Sequence, residues 1–372
     1  MRNLIKFLKL LSIAIAVLIV LVLGIRLLIK IMPSKTKLNI MDGILSRNKS
    51  IHSATILIKD LKNNKEHRFE KGNFKEDKYY LASVTKLYVH SIIFQMIDEG
   101  LISYETKLSD VLAKEEWEGI LTVDGVDHSG DITVSHLVNQ TSGIPDYESD
   151  YKFDGKSIIE NLVEEDFDFS FEDALEATKS VESLHKTGEG KKAYYSNLNP
   201  LLLSKIAEKI TGKSFLKLLS ERILSPNNLS STMIISSPDD AIPVYYGDIE
   251  SRPFKYTSSA PAAGGIIADV DDLMSFLDRY FNGNLFDISH LSKSEFRPIQ
   301  FIPIKYGNGM MELEMGMLMS PFMPAPRIIG HSGSTGSFAF YQPESRVFIT
   351  GTLNQAKTKP FPYVYGYINA IK

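Results

Sequence analysis

The strongest case for covalent chemistry in this sequence is made by Ser83-Val84-Thr85-Lys86. Downstream, Leu87, Val89, Ile92, Ile93, Met96 and Ile97 recur mostly at three- and four-residue spacing, and Gly100 follows as a stop. This spacing predicts a helix over 84–99. Ser83 then lies at its N-terminus. Lys86 lies one turn on, on the same face, with its amine in reach of the serine hydroxyl. A hydroxyl whose proton a neighbouring amine can take is an activated nucleophile. The helix N-terminus also offers backbone N–H groups to a developing oxyanion. Alone, Ser-x-x-Lys is equally an N-cap followed by a solvated lysine, so the decision rests on whether the chain supplies partners.

Three further fragments are candidates. Tyr195-Ser196-Asn197 supplies a phenol that, close to a lysine, can be held partly ionised or hydrogen-bonded and so serve as general base or proton relay. Asn197 offers an amide donor to a substrate carbonyl. Gly330-His331-Ser332-Gly333-Ser334-Thr335-Gly336-Ser337 is richer in Gly and Ser than a turn requires. It would let a substrate backbone approach closely, with the N–H of Ser334 as a second oxyanion donor. His331 there either binds a substrate carboxylate or joins the proton relay near neutral pH. The Gln140-Thr141-Ser142-Gly143 loop reads as a structural wall. Lys186-Thr187-Gly188 matches a catalytic triplet of serine β-lactamases, but it precedes Tyr195 and has no strand pattern around it, so it reads as a turn.

The elements that must position these groups are partly legible. His52 to Asp60 reads as a strand, Asn63-Asn64 as a turn and 66–71 as the partner strand. Residues 131–138 read as a capped helix and 148–185 as an acidic, mostly helical stretch. Helices follow at 200–210, 215–224 and, capped by Asp269, through Phe281. Strands are expected at 309–317, 327–330, 337–341 and 346–353, with a final amphipathic segment over 363–371. Strands at both ends and helices between predict an α+β fold: one sheet built from both termini, with a helical lobe inserted. The expected division is 46–100 and about 255–372 in the α/β lobe and about 101–254 in the helical lobe.

Residues 1–32 form a separate object. Leu10 to Ile25 are uncharged and almost all apolar, Arg26 interrupts, and Leu27, Leu28 and Ile29 extend the run. No Ala-x-Ala cleavage pattern follows, so the reading is an uncleaved single-span membrane anchor, with 33–45 as tether and first helix. Arg2, Lys6 and Lys9 on one side nearly balance Arg26, Lys30, Lys35 and Lys37 on the other, so charge alone leaves the orientation open.

Composition excludes several alternatives. The 372 residues are 44% hydrophobic and 23% charged, ordinary values for a globular chain. A formal net charge of −4 gives no reason to expect nucleic-acid binding. With no cysteine there is no thiol nucleophile or cysteine-ligated zinc, and the 8 histidines have no ligand spacing, so neither metal nor cofactor is expected.

The order Ser83-x-x-Lys86, Tyr195-x-Asn197, His331-x-Gly333, with Thr141-Ser142-Gly143-Ile144-Pro145 and Ala263-Gly264-Gly265 between, resembles the class C β-lactamase-related family of penicillin-recognising serine hydrolases. The resemblance covers roughly 40–370. It implies a β-lactamase/transpeptidase-like fold with Ser83 as the acylated nucleophile and Lys86 as its hydrogen-bonded base. Tyr195 would be the second base or relay for deacylation, and Asn197 the residue that positions the substrate amide. His331 and Gly333 would edge the site, and the N–H groups of Ser83 and Ser334 would form the oxyanion hole. Class C β-lactamases carry lysine at the position of His331, and histidine is more like the carboxypeptidase and esterase members. The implied activity is hydrolysis of D-alanyl peptide or ester bonds of the bacterial cell envelope, peptidoglycan included, with β-lactams as possible ligands and an extracytoplasmic catalytic domain. A broad esterase, a weak β-lactamase and an inactive scaffold of the same fold are the alternatives.

Overall fold

The computed structural model describes residues 2–72, 77–183, 185–317 and 319–372. The first helix, α1 (Arg2–Ile31), contains the apolar stretch Phe7–Ile31, which includes an 18-residue window of mean hydropathy 2.9. At 1.5 Å per residue that stretch is about 37 Å long, against a hydrocarbon core of about 30 Å. Among the described residues it is the one helix long and apolar enough to cross a membrane. Pro33 precedes the next helix, α2 (Ser34–Arg47). A proline tolerates a helix start but not a helix interior, so the two helices break here. Nearly all of 33–45, expected to hold a tether and a first helix, is helical.

The main sheet has eight strands. They are β1 (Ala54–Asp60), β2 (Lys65–Lys71), β3 (Arg297–Pro298), β4 (Lys305–Gly307), β5 (Met310–Met315), β6 (Ala325–Ser332), β7 (Ser337–Gln342) and β8 (Val347–Thr352). Their order is β3-β4-β5-β6-β7-β8-β1-β2, antiparallel throughout. The N-terminal strand β1 lies between its hairpin partner β2 and the C-terminal strand β8, with Ile58 opposite both His67 and Ile349. This is the expected sheet of both termini.

Strand alternation sorts the two faces. Ile56, Ile58, Phe338, Phe340, Val347 and Ile349 pack beneath α2 and the C-terminal helix α6 (Phe361–Ile371), through Leu45, Val364, Tyr365 and Ile368. Leu57, Ala339 and Phe348 face the other way, into the large core shared by α3 (Thr85–Asp98), α4 (Leu198–Thr211) and α5 (Val270–Phe281). A small second sheet ties the lobes together: Tyr79–Tyr80 pairs with Ile266–Ala268, which pairs with Met233–Ile234. The acidic stretch 148–185 is less helical than its composition suggests. It holds two short helices, Ile158–Glu164 and Phe171–Lys179, each started by a serine capping box at Ser157 and Ser170. The helix expected over 131–138 begins at Val134, with Thr133 as its cap.

One backbone contact pins β1 to β8. Gly351 has φ +153°, and a Cβ there would lie 2.1 Å from the Thr55 carbonyl oxygen. A Gly351→Ala substitution is expected to cost about 2–3 kcal/mol. Urea titration should show a lowered midpoint with an unchanged slope.

Candidate active site

Ser83 lies in a 3-10 turn, Ala82–Val84, that feeds directly into α3, rather than at the first residue of the helix itself. Ala82 has φ +45°, a conformation that costs an alanine energy and must be held by its surroundings. The surroundings are visible. Leu81 N–H donates to Ile266 O at 3.0 Å. The Ser337 hydroxyl donates to Leu81 O at 2.6 Å and the Thr335 hydroxyl to Tyr80 O at 2.9 Å. Gly333 lies against the same backbone: a Cβ there would be 2.5 Å from Leu81 O and 3.0 Å from Ala82 Cβ. The Gly- and Ser-rich segment is therefore the clamp on the Ser83 turn, and it brings Ser334 to the cavities that adjoin Ser83.

Lys86 is fully buried on the first turn of α3. Its Nζ lies 2.9 Å from Ser83 Oγ, 2.7 Å from Asn197 Oδ1 and 3.0 Å from Ala263 O. Burial pulls its pKa down to about 8, against the opposing pull of Glu148 and Asp146. At pH 7 roughly one molecule in ten then carries a neutral amine able to accept the Ser83 proton.

Asn197 connects this lysine to two carboxylates. Its amide nitrogen donates to Asp146 Oδ1 at 3.1 Å and Glu148 Oε2 at 2.8 Å, and its backbone N–H donates to Asp146 Oδ1 at 2.9 Å. The side-chain donors expected to meet a substrate carbonyl are engaged here, and the amide oxygen serves Lys86. Glu148 also accepts from the Tyr256 hydroxyl at 2.6 Å. Burial first, and the neighbouring Asp146 second, push its carboxyl up to about 7. Burial likewise raises Asp146.

These acids lie just past the Gln140–Gly143 loop, which reads in sequence as a structural wall. That reading captures half of its role. Gln140 O accepts from Tyr194 N–H at 2.8 Å, Gln140 Oε1 accepts from Ser196 N–H at 2.8 Å, and Pro145 O accepts from the Ser196 hydroxyl at 3.0 Å. The loop thus holds the Tyr-Ser-Asn segment and also places Asp146 and Glu148 beside the lysine. Gln300 fixes the segment from the other side, accepting from Tyr195 N–H and donating to Tyr195 O, both at 2.8 Å. The signal for the acids was Pro145-Asp146-Tyr147-Glu148, two carboxylates separated by one residue where the polar loop meets the acidic stretch.

Tyr195 is 5% exposed and lines the cavity at Ser83. Its hydroxyl has no partner in full hydrogen-bond geometry, although Ser83 is near enough to favour the phenolate slightly. Burial dominates, reinforced by Glu148 and Asp146, and drives its pKa well above the ordinary value. Of the two states open to it in sequence, the hydrogen-bonding neutral phenol is the one this environment supports. Lys86 Nζ is 5.2 Å from its ring centroid.

His331 requires a correction. It is fully buried near the end of β6 and lines neither cavity at Ser83. Its Nδ1 lies 2.8 Å from Ser332 O, which can only accept, so Nδ1 carries the proton and Nε2 faces the Tyr306 hydroxyl at 3.4 Å. Burial and then the Lys86 charge hold its pKa well below the usual range. It is a neutral prop, with ring centroids 6.1 Å from Tyr195 and 5.7 Å from Tyr306. It cannot offer a cation to a substrate carboxylate or titrate near neutrality. Lys186-Thr187-Gly188 is the expected turn, with Gly188 N–H donating to Thr141 O at 2.8 Å.

Two cavities meet at Ser83. One, of about 270 Å³, is walled by Ile159, Leu162, Val163, Val244, Tyr246 and Tyr256. The other, of about 240 Å³, is lined by Tyr195, Asn197, Phe301, Ser332, Gly333 and Lys359. Ser83, Glu148 and Ser334 border both. Among the described lining residues Lys359 is the single basic side chain, and nothing in the sequence marked it.

A sheet of both chain ends beside a helical lobe, with a serine, a buried lysine and a tyrosine converging between them, defines a serine hydrolase of the β-lactamase fold. The Beta-lactamase family model matches residues 47–371, and the chain belongs to that family. It is 24% identical over 271 residues to the D-alanyl-D-alanine-carboxypeptidase/endopeptidase AmpH of Escherichia coli (strain K12), covering 70% of this chain and 66% of AmpH. It is 26% identical over 272 residues to penicillin-binding protein 4* of Bacillus subtilis (strain 168), covering 68% of this chain and 55% of that protein. In both cases less than two thirds of the relative is spanned. A D-stereospecific amidohydrolase from Streptomyces sp. superposes with TM-score 0.71 at 21% identity, covering 89% of this chain and 97% of the other, which shows the shared fold.

The lysine's environment predicts a pH profile. With Lys86 near 8, kcat/KM toward a neutral ester should rise with pH through about that value. Asp146→Asn removes an anion that favours the ammonium and keeps an oxygen to accept from Asn197. Its rising limb should therefore move to lower pH. A limb that stays in place would separate Lys86 from the titration.

Proposed function

We propose that the protein cleaves acyl bonds through a covalent acyl-Ser83 intermediate. The observation that carries this is the 2.9 Å contact between Ser83 Oγ and a buried Lys86 of depressed pKa, at the junction of two cavities. Neutral Lys86 takes the hydroxyl proton as Oγ attacks the substrate carbonyl. The developing oxyanion is received by the backbone N–H groups of Ser83 and Ser334. The proton then passes to the leaving group, directly or through the Tyr195 hydroxyl, which as a neutral phenol gives one proton while accepting another. Water enters, loses its proton along the same path, and releases the acyl group.

The substrate class is the D-alanyl peptide or ester bond of the bacterial cell envelope. The reading is supported by the carboxypeptidase and penicillin-binding names of the relatives. An esterase reading is favoured by His331: buried and neutral, it leaves the exposed Lys359 as the one basic group that the described residues bring to the cavity walls. The helix Phe7–Ile31 fits a single-pass anchor, with residues 47–371 outside the cytoplasmic membrane where such substrates lie.

Incubation with a fluorescent penicillin and with a nitrophenyl ester tests the chemistry. Wild type should be labelled or turn over the ester, and mass spectrometry should place the acyl group on Ser83. Ser83→Ala should lose both signals, by about a thousand-fold or more in rate. Labelling that survives Ser83→Ala would remove Ser83 from the mechanism. For the anchor, protease added to whole cells should digest the catalytic domain, whereas protection until lysis would reverse the proposed orientation.

A further inference from the structure

The connection from β5 to β6 is built unlike a surface loop. No charged residue occurs from Gly316 to Pro326. The strands it joins are antiparallel neighbours, which about two to five residues would connect. Of the connection, residues 316, 317 and 319–324 are described. Met323 packs back toward the core beneath the sheet, but Met317, Met319 and Phe322 are 49%, 56% and 50% exposed. Its backbone polarity is largely met from within the protein. The N–H groups of Met319 and Ser320 both donate to Gly316 O at 3.0 Å, and the Ser320 hydroxyl donates to Met323 O at 2.5 Å. The Asn369 amide donates to Pro324 O at 2.7 Å, and Pro321 and Pro324 carry no N–H. Water would answer these groups in an ordinary loop; hydrocarbon would not.

The apolar N-terminal helix meets this same loop. From 7 to 31 every position of α1 is exposed except Val22, which is buried, and Arg26 and Ile29, which are half-buried. These lie at i, i+4 and i+7, one face of the helix. The Arg26 guanidinium donates to Ser320 O at 3.4 Å. Along the axis Arg26 is about 8 Å and Val22 about 14 Å from Ile31. A stretch of about 37 Å exceeds a hydrocarbon core of about 30 Å by only about 3–4 Å at each end. Ser320 therefore meets the helix at a depth where lipid surrounds it. An arginine at that depth is costly unless paired, and the loop supplies its carbonyl partner.

We propose that the β5–β6 connection is a second membrane-contact element: Met317, Met319 and Phe322 enter the acyl region of the leaflet on the catalytic domain's side, next to the Val22–Arg26–Ile29 face of α1. This rests on the reading of Phe7–Ile31 as a membrane span. The surrounding contacts agree with it. Lys37 Nζ donates to Asn369 O at 2.9 Å, and Asn369 in turn holds Pro324. The start of α2, the end of α6 and the loop thus share one face of the domain, and the exposed Lys30 and Lys35 fall at headgroup level just past Arg26. A single tether would let the domain pivot; a helix and a loop fix its tilt. β6 leaves this loop at Ala325 and reaches the Ser83 turn past Ser332, about 23 Å along the strand. The catalytic end of β6 is then the end away from the lipid, so the substrate is met beyond the headgroups.

The chain has no cysteine, so single-cysteine variants carry one fluorescent label each. The full chain is reconstituted into phosphatidylcholine vesicles with the label at Phe322→Cys, at Met319→Cys, at Ile19→Cys in the middle of the span, or at Ile249→Cys. Ile249 follows Gly247, which meets His52 past the far end of α2, and serves as the water-exposed reference. Nitroxide-bearing acyl chains quench labels in lipid, and iodide quenches labels in water. Phe322→Cys and Met319→Cys should lose about half of their emission or more to the nitroxide lipid, as Ile19→Cys does, and Ile249→Cys about a tenth or less. Iodide should give the reverse order. Thermal melting checks folding, and if one loop variant is unstable the other still decides. Quenching of Ile19→Cys by nitroxide lipid without quenching of the loop labels overturns the inference and leaves the anchor. Shielding of the loop from iodide without nitroxide quenching assigns the patch to protein, such as a second copy, and also overturns it. If Ile19→Cys is quenched by iodide alone, the span and the inference fall together.

Discussion

The buried amine of Lys86 is the interaction on which the site depends. Its three neighbours are Ser83 Oγ, Asn197 Oδ1 and Ala263 O. An ammonium has three N–H donors and can satisfy all of them. A neutral amine has two donors and a lone pair. Two of the partners, an amide oxygen and a carbonyl oxygen, can only accept. When Lys86 gives up its proton, Ser83 is therefore the one partner of the three that can donate to the lone pair. Loss of the lysine proton and orientation of the serine O–H toward nitrogen become the same event. Random placement of a lysine near a serine would not achieve this. It requires the Asn197 and Ala263 oxygens on the remaining sides.

The elements around the site exist to keep that geometry. α3 carries Lys86 and the 3-10 turn that feeds it carries Ser83, but that turn holds Ala82 at positive φ, a conformation that does not persist without restraint. The restraint comes from β7 and the 333–337 turn, whose hydroxyls grip Tyr80 and Leu81 carbonyls. β7 is central in the sheet and neighbours the C-terminal strand β8, which pairs with the N-terminal strand β1. The conformation at the nucleophile is thus tied to pairing between residues at opposite ends of the chain. That is a physical reason for building the sheet from both termini.

Much of this was legible in the sequence, because helical spacing after Ser83, alternating strands near both ends and the order of the short motifs are local or ordinal properties. The serine, lysine and tyrosine come together as their order implied. What was not legible depends on contacts distant in sequence. In sequence Asp146 is a polar-loop acid and Glu148 the first of an acidic, mostly helical stretch, until the fold sets both against Asn197, more than forty residues on. Lys359 precedes α6, and only the path of the chain brings it to the cavity rim. Ser83 lies just before the helix, as expected, but in a 3-10 turn entered through Ala82 at positive φ, which no pattern of apolar residues encodes.

His331 shows the difference most sharply. In sequence it stands where relatives with lysine would present a cation, and a histidine at its ordinary pKa could present one in part. Here the ring lies under Tyr195 and Tyr306 and feels the Lys86 charge. Protonating it would bury a second cation beside the first with no counter-ion facing it. The Nδ1 bond to Ser332 O, at 2.8 Å, leaves Nε2 as an acceptor, so the imidazole can hold the Tyr306 hydroxyl while remaining neutral. The third motif consequently acts through its backbone and its shape. His331 supports the tyrosine from behind, and Gly333 lets the strand approach the nucleophile turn. Ser334 is thereby carried to the cavity edge, where a carbonyl oxygen would develop charge. Any discrimination by charge must come from other residues on the cavity walls, where the charged side chains among the described residues are Asp146, Glu148 and Lys359.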